Sequence, residues 1–319
     1  GAEVFYNNGR GGEISATINP DFGQVESDNI VVNFSPRETF YSDKRPFFTQ
    51  SQSMFDISLD WYPGFELYSL LHTRRIGDAP NYDCSRYSLA EGGSNELVSE
   101  CEDNQVNSNG IDAAIKYIQL GEKTDYGLFS AFESDENFSE GKDFFAFRTL
   151  HRKDDHKIGY MVTHADKSFI NRQATVNAID YQYLPSSKIK IESLAMVSNS
   201  NEDEAGFGSR TAVSFNPSKE WKYGAEYYYF NEDLNINDMG YLWRNNLASY
   251  GASVNYTRTD FPEDSFVNNR SYNFDYWDQN NADNENLNEF YTFFFRQSFK
   301  DTSSFGINIF AKGEGKDDE

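Results

Sequence analysis

The chain has 319 residues and a formal net charge of -23 at pH 7, from 51 acidic against 28 basic residues, which argues against the basic face that nucleic-acid binding requires. Aromatic residues make up 17% of the chain, with 28 Phe and 21 Tyr, yet only 38% is hydrophobic and the mean hydropathy is -0.73; this suits a wall with an apolar outside, aromatic girdles and a wet inside better than a packed soluble core. No run of about 18 apolar residues occurs, which excludes a transmembrane helix but not a closed barrel, whose backbone is also satisfied within lipid.

The N-terminal Gly1-Ala2-Glu3-Val4-Phe5 lacks the basic and apolar regions of a signal peptide, so the chain is read as mature or as excised from a longer protein. Strand signals begin at once. Val4, Phe5 and Tyr6, a Gly-rich turn over 7–12, and Ile14, Ala16 and Ile18 alternating with Ser15 and Thr17 predict a hairpin. Between Pro20 and Asp60 the alternation breaks and charges sit among rings, so this segment is expected to be a non-strand piece folded into or across the barrel lumen. Strand signal resumes over 65–71 and runs on to Arg74-Arg75-Ile76-Gly77.

Residues 78–109 form a long irregular piece, expected to be an external loop. It holds the two cysteines, Cys84 and Cys101, which predict a disulfide in an oxidising compartment, worth roughly 3 kcal/mol by chain entropy. Its acidic residues Asp83, Glu91, Glu96, Glu100, Glu102 and Asp103 match no EF-hand spacing and read as a solvated loop.

From Ile111 a regular rhythm of alternating strands sets in, cleanest where Trp221, Tyr223, Ala225, Tyr227 and Tyr229 oppose Lys222, Gly224 and Glu226. Tight connections at Gly121, Asp154, Ser186, Pro217 and Asp301 alternate with longer polar ones near 135–141, 198–206, 231–246 and 278–288. Consecutive connections of an up-and-down barrel fall on opposite rims, so one rim is predicted short-turned and the other long-looped, as in outer-membrane barrels. The fold class is therefore all-β: one transmembrane antiparallel up-and-down barrel over 1–319, of about 14 to 16 strands. Trp61, Trp221, Trp243, Trp277, Tyr227 and Tyr229 are expected in its interface girdles.

The stretch Asn19-Pro20-Asp21-Phe22-Gly23-Gln24-Val25-Glu26-Ser27-Asp28, with Lys44-Arg45-Pro46-Phe47-Phe48 and Arg74-Arg75-Ile76-Gly77, resembles a bacterial family of uncharacterised outer-membrane domains. The motif likeness covers about the first 77 residues. Members typically follow a carbohydrate-binding-like domain of the family 9 type, and some carry the label of membrane-bound hydrolase. This chain has Asp43-Lys44-Arg45 where members often have Glu-Lys-Arg, lacks the carbohydrate-binding-like domain, and ends in an acidic tail rather than an aromatic strand residue. The resemblance implies a bacterial outer-membrane location and a link to oligosaccharides.

The motif charges Asp21, Glu26, Asp28, Arg37, Glu38, Asp43, Lys44, Arg45, Arg74 and Arg75 are the candidate lumen or ligand-binding residues, expected first of all to pair with one another and tie the inward segment to the wall. Glu26 and Glu38 are the candidates for a general acid and base on a glycosidic bond. The four histidines, His72, His151, His156 and His164, form no zinc or nucleophile-elbow motif and read as rim positions; no metal or cofactor is expected. The leading expectation is a channel or binding component for a polar nutrient such as an oligosaccharide, with outer-membrane lipid as partner. The alternatives are a membrane-embedded hydrolase and a scaffold barrel that presents loops to a partner protein.

Overall fold

A computed structural model of the chain describes residues 1–20, 37–62 and 65–316, without the side chains of Trp61 and Tyr62. Short alternating segments punctuated by turn residues become strands β1 (Ala2–Asn7), β2 (Gly12–Ile18), β3 (Ser58–Tyr62), β4 (Phe65–Ser69), β5 (Ile111–Gln119), β6 (Thr124–Glu133), β7 (Asp143–Lys153), β8 (His156–Lys167) and β9 (Arg172–Ser186). They continue as β10 (Ile189–Ser200), β11 (Gly206–Phe215), β12 (Trp221–Phe230), β13 (Tyr241–Leu242), β14 (Leu247–Arg258), β15 (Val267–Asn280), β16 (Asn286–Phe299) and β17 (Ser304–Lys312). Two short helices, α1 (Pro46–Thr49) and α2 (Asn95–Asp103), lie between β2 and β5.

Fourteen strands form one antiparallel sheet in the order β1, β2, β5 to β12, β14 to β17, and β3, β4 and β13 form a separate three-stranded sheet. The strand count agrees with the expected range. The closed barrel is not seen: among the described residues β1 and β17 are free edges, each with a single neighbour.

The connections segregate as the sequence predicts. One rim carries the turns over 8–11, 120–123, 154–155, 187–188, 216–220 and 300–303 and one longer link, 259–266; the opposite rim carries 134–142, 201–205, 231–246, 281–285, the whole stretch from β2 to β5 and one short link, 168–171. The two-residue link between β7 and β8 is made by Asp154 at φ 52°, a left-handed conformation that the short Asp side chain tolerates. Strand β9, fifteen residues long, escaped the sequence reading because its buried face is small, Ala174, Val176 and Ala178, and alternates with Thr175, Asn177 and Ile179.

The two faces of the large sheet differ sharply. Ile14 and Ile18 on β2, Ile115 and Tyr117 on β5, Phe145 on β7, Phe207 and Val213 on β11, Trp221, Tyr223 and Tyr227 on β12, Tyr250 on β14 and Phe274 on β15 are all exposed and share one face. Cross-strand ring pairs such as Tyr227 with Tyr250, centroids 4.9 Å apart, tile it. The alternate residues, including Ala114, Lys116, Phe129, Ala131, Phe144, Ala146, Met161 and Met196, are buried on the other face.

What buries them is the insert between β2 and β5 together with β13. Phe47, Phe48, Phe55, Leu67, Tyr68, Leu70 and Ile76 pack with the inner residues of β5 to β12 into one core. Each such large side chain contributes roughly 1.5–3 kcal/mol on burial. Among the aromatics expected in the girdles, Trp221, Tyr227 and Tyr229 lie on the outer face. Trp243 and Trp277 do not: both pack against the inner core, because their strand parity and the β13 connection turn them inward. The side chain of Trp61 lies outside the described residues.

Candidate functional site

The insert is fastened first by its own motif residues. Arg45 donates to both carboxylate oxygens of Asp43 at 2.7–3.1 Å and to the carbonyl oxygens of Thr73 and Ile76 at 2.6 and 2.7 Å, while the Thr73 hydroxyl donates to Asp43 at 2.7 Å. Burial opposes ionisation of Asp43, but these hydrogen bonds and the guanidinium charge hold its carboxyl below the usual carboxylate range. The same guanidinium lies 4.2 Å over the Phe48 ring. Arg75 grips both oxygens of Glu38, at 2.9 and 2.6 Å, and donates to the carbonyl oxygen of Gly240 beside β13. Lys44 is exposed and Arg74 half-buried. Asp21, Glu26 and Asp28 lie outside the described residues.

Sequence reasoning missed the wall's own anchors. Lys116 of β5 donates to the carbonyl oxygens of Phe47 and Gln50 in the insert. Glu133 of β6 accepts from the backbone N–H of Gly77 at 2.7 Å and from Asn109 at 3.0 Å, the two points where the 78–109 loop leaves and returns. Lys142 donates to the carbonyl oxygens of Asp78 and Ala79. A buried Lys or Glu on an otherwise alternating strand is the signal that marks them. Gly127 of β6 completes the docking surface: a Cβ there would lie 2.8 Å from both Met54 and Phe55, so only glycine admits the insert this closely.

The loop itself carries the expected Cys84–Cys101 disulfide and, unexpectedly, the helix α2, whose first turn is capped by Ser94 accepting from the N–H of Leu97. His72 is buried rather than at a rim, its ring 4.7 Å from Phe40 and 6.0 Å from Tyr241; burial and the nearby arginines push it down to about 3, so it is neutral. His151 and His156 sit at the tight-turn rim, His156 stacked at 4.5 Å on Tyr183. His164 pairs with Thr175 on the adjacent strand. Among the described residues no three His, Cys, Asp or Glu side chains converge in a way that would hold a metal.

At the long-connection rim, where the insert, the β10–β11 link and the β12–β14 link meet, lies a cavity of about 630 Å³. Arg37, Arg244, Glu38, Asp203, Glu204, Glu232 and Asp233 supply its charges, Asn235, Asn237 and Asn245 its amides, and Leu234, Leu242 and Trp243 an apolar flank. The Arg37 guanidinium covers the Trp243 ring at 3.8 Å. Arg172 binds Glu202, Asp203 and Asp238 at 2.7–3.1 Å and so clamps the two links together; Asp203 is held below the usual carboxylate range by that guanidinium. The arrangement can hydrogen-bond a polar solute from several sides. Of the two carboxylates proposed for acid–base work, Glu38 has both oxygens engaged by Arg75 and Glu26 lies outside the described residues.

No curated protein matches this chain. A family model described as a domain of unknown function (DUF5916) matches residues 13–116 and 153–318, which takes in the insert with its strut and the strands from β8 onward but not β6 and almost none of β7. With well over half of its length matched, the chain belongs to the DUF5916 family of domains of unknown function.

Proposed function

We propose that the chain is a β-barrel of the bacterial outer membrane, plugged from its long-looped rim by the insert, that serves as a binding component or gated conduit for a polar solute. The observation that carries this reading is the segregation of large exposed apolar side chains to one face of all the central strands, against a polar and insert-covered opposite face. An apolar surface of that extent is stable in hydrocarbon and a liability in water. The topology permits closure: with fourteen alternating strands β1 and β17 run in opposite directions, so their free edges are matched for antiparallel pairing.

The insert covers the inner face from β5 to β12, which favours a plugged barrel over an open pore. Glu38 lines the rim cavity and orients Arg75, whose guanidinium holds the Gly240 carbonyl beside β13, so a solute competing for Glu38 would release Arg75 and loosen the insert at that point. The mixed charges, amides and indole of the cavity suit a polyhydroxylated solute; the oligosaccharide class rests on the family resemblance.

The test is reconstitution of the full chain. It should fold into lipid vesicles and float with them, and in a planar bilayer it should be nearly silent as wild type but show stepwise conductance as Arg75→Ala. A protein that stays monodisperse in detergent-free buffer and does not float with vesicles overturns the membrane reading, and a silent Arg75→Ala variant overturns the plug.

A further inference from the structure

At the tight-turn rim, away from the cavity described above, a second cavity of about 380 Å³ lies between the inner residues of β2 and β5 to β8 and the insert segment 51–56. It is lined by charges of both signs. Arg148 and Arg152 of β7 and Lys157 of β8 line it together with Asp125 of β6, and Glu13 of β2 and Asp56 of the insert line it from the elements opposite β8. Arg152 is committed to Asp125, and Arg148 gives both terminal nitrogens to Asp180. A Cβ on Gly159 would lie 2.3 Å from that Asp180 carboxylate and 2.8 Å from Arg148, so the glycine makes room for the pair and fixes where it sits.

Three groups form no contact ion pair, although Glu13 acts on the charge of Lys116 and Lys157 on that of Asp125 from farther off. Lys157 forms no ion pair among the described residues; Glu13 and Asp56 accept only from the hydroxyls of Ser51 and Ser58. A fourth observation points the same way: Arg148 is only 4% exposed, lines the cavity, and its Nε–H finds no acceptor. A buried guanidinium N–H left in that state is destabilising, and an anionic oxygen would satisfy it.

We infer that this cavity binds a small zwitterion of the amino-acid class, a free α-amino acid or dipeptide with an apolar side chain. Its carboxylate would lie between Lys157 and the Arg148 Nε–H, its ammonium between Glu13 and Asp56, and its side chain against Met54, Leu120 and Leu150. A simple anion would leave the two carboxylates unanswered, and a simple cation would leave Lys157 and Arg148 so.

Calorimetric titration of the full chain in detergent tests this with leucine, the dipeptide Gly-Leu, N-acetyl-leucine, leucine amide and glucose. Leucine or Gly-Leu should bind saturably, and each half-molecule should bind about tenfold more weakly or worse, since one charge-assisted contact is lost. Lys157→Gln should weaken leucine and leave leucine amide unchanged; Glu13→Gln should do the same for leucine while sparing N-acetyl-leucine, with the far-ultraviolet circular dichroism of both variants unaltered. The inference fails if N-acetyl-leucine binds as well as leucine, if glucose competes equally, or if no ligand gives saturable heat. None of these outcomes depends on whether the protein conducts in a bilayer.

Discussion

The Nζ of Lys116, on the wall strand β5, lies 2.8 Å from the carbonyl oxygen of Phe47 in the insert. Phe47 stands in the four-residue helix α1, and Gln50 just after it offers Lys116 a second carbonyl, so one buried ammonium terminates the helix and pins it to the sheet. Lys116→Met keeps the length of the side chain and removes both bonds. The insert should lose roughly 2–4 kcal/mol of docking free energy. Hydrogen exchange should show amides of 46–57 losing protection while the strands of the large sheet keep theirs; equal loss in both would mean Lys116 supports the sheet, not the docking.

Gly127 predicts a steric counterpart. Gly127→Val places methyl groups where Met54 and Phe55 now lie and should cost about 1–3 kcal/mol through overpacking. A thermal melt unchanged from wild type would show that the insert does not approach β6 as closely as the structure has it.

The Asp43–Arg45–Thr73 strut makes a pH prediction. The folded carboxyl of Asp43 titrates below its unfolded value of about 4, so the stability it contributes is present above that pH and is lost as the pH falls through the folded value. Asp43→Asn should therefore destabilise the insert at neutral pH, by about 2–4 kcal/mol, and the difference from wild type should fall away only as the pH drops below the ordinary carboxylate range and through the lowered folded value. Denaturant midpoints measured across that range give the answer, and a constant difference at every pH would rule the ionised pair out as its source.

Glu66 behaves in the opposite sense. Burial, and then the charge of Asp60, its cross-strand partner between β3 and β4, push its carboxyl up to about 8. The unfolded chain gives up this proton near its ordinary value while the folded one keeps it, so stability is highest at low pH and falls as the pH rises toward 8. Glu66→Gln should flatten that slope and stabilise the protein at pH 8 by roughly 1–2 kcal/mol, discounted because the side chain is half exposed. A variant less stable than wild type at pH 8 would contradict the assignment.

Reduction of Cys84–Cys101 opens a link between residues 17 apart in sequence and should release roughly 3 kcal/mol of constraint on the loop. The effect should be largely local, since the contacts of this loop with the wall, such as Tyr87 with Phe138 and Arg86 with Phe169, lie at the long-connection rim. Loss of protection over 84–103, with unchanged protection in β5 to β12, is the expected exchange pattern.

Much of the architecture was legible in the chain because it depends on period and punctuation. Alternation with Trp221, Tyr223 and Tyr227 on one side and Gly224 and Glu226 on the other specifies which face of β12 is apolar, and turn residues at Asp154 and Asp301 specify where the chain reverses. The cysteine pair and, over the described residues 37–57, the departure from strand alternation were readable for the same reason, whereas β3 begins at Ser58 inside the segment expected to be non-strand. Strand β9 was not, since its buried side chains are too small to stand out, and neither was α2, whose capping Ser94 lies in an acidic loop without apolar periodicity.

The site divides along the same line. Within the motif, Asp43 and Arg45 lie two residues apart and Arg45 reaches Thr73 a short hairpin away, so a charged strut could be anticipated from sequence. Its attachment to the wall could not, because Lys116, Glu133, Lys142 and Gly127 earn their roles only when a chain 50 to 70 residues distant folds back onto them. Sequence by itself determined an antiparallel all-β chain with one apolar face, because side-chain alternation is a local property. Only the tertiary structure decided that Trp243 and Trp277 turn inward, that Glu38 is shared between the insert and a rim cavity, and that Arg148 keeps an unanswered donor beside another, because each depends on which distant residues the sheet brings within a few ångströms.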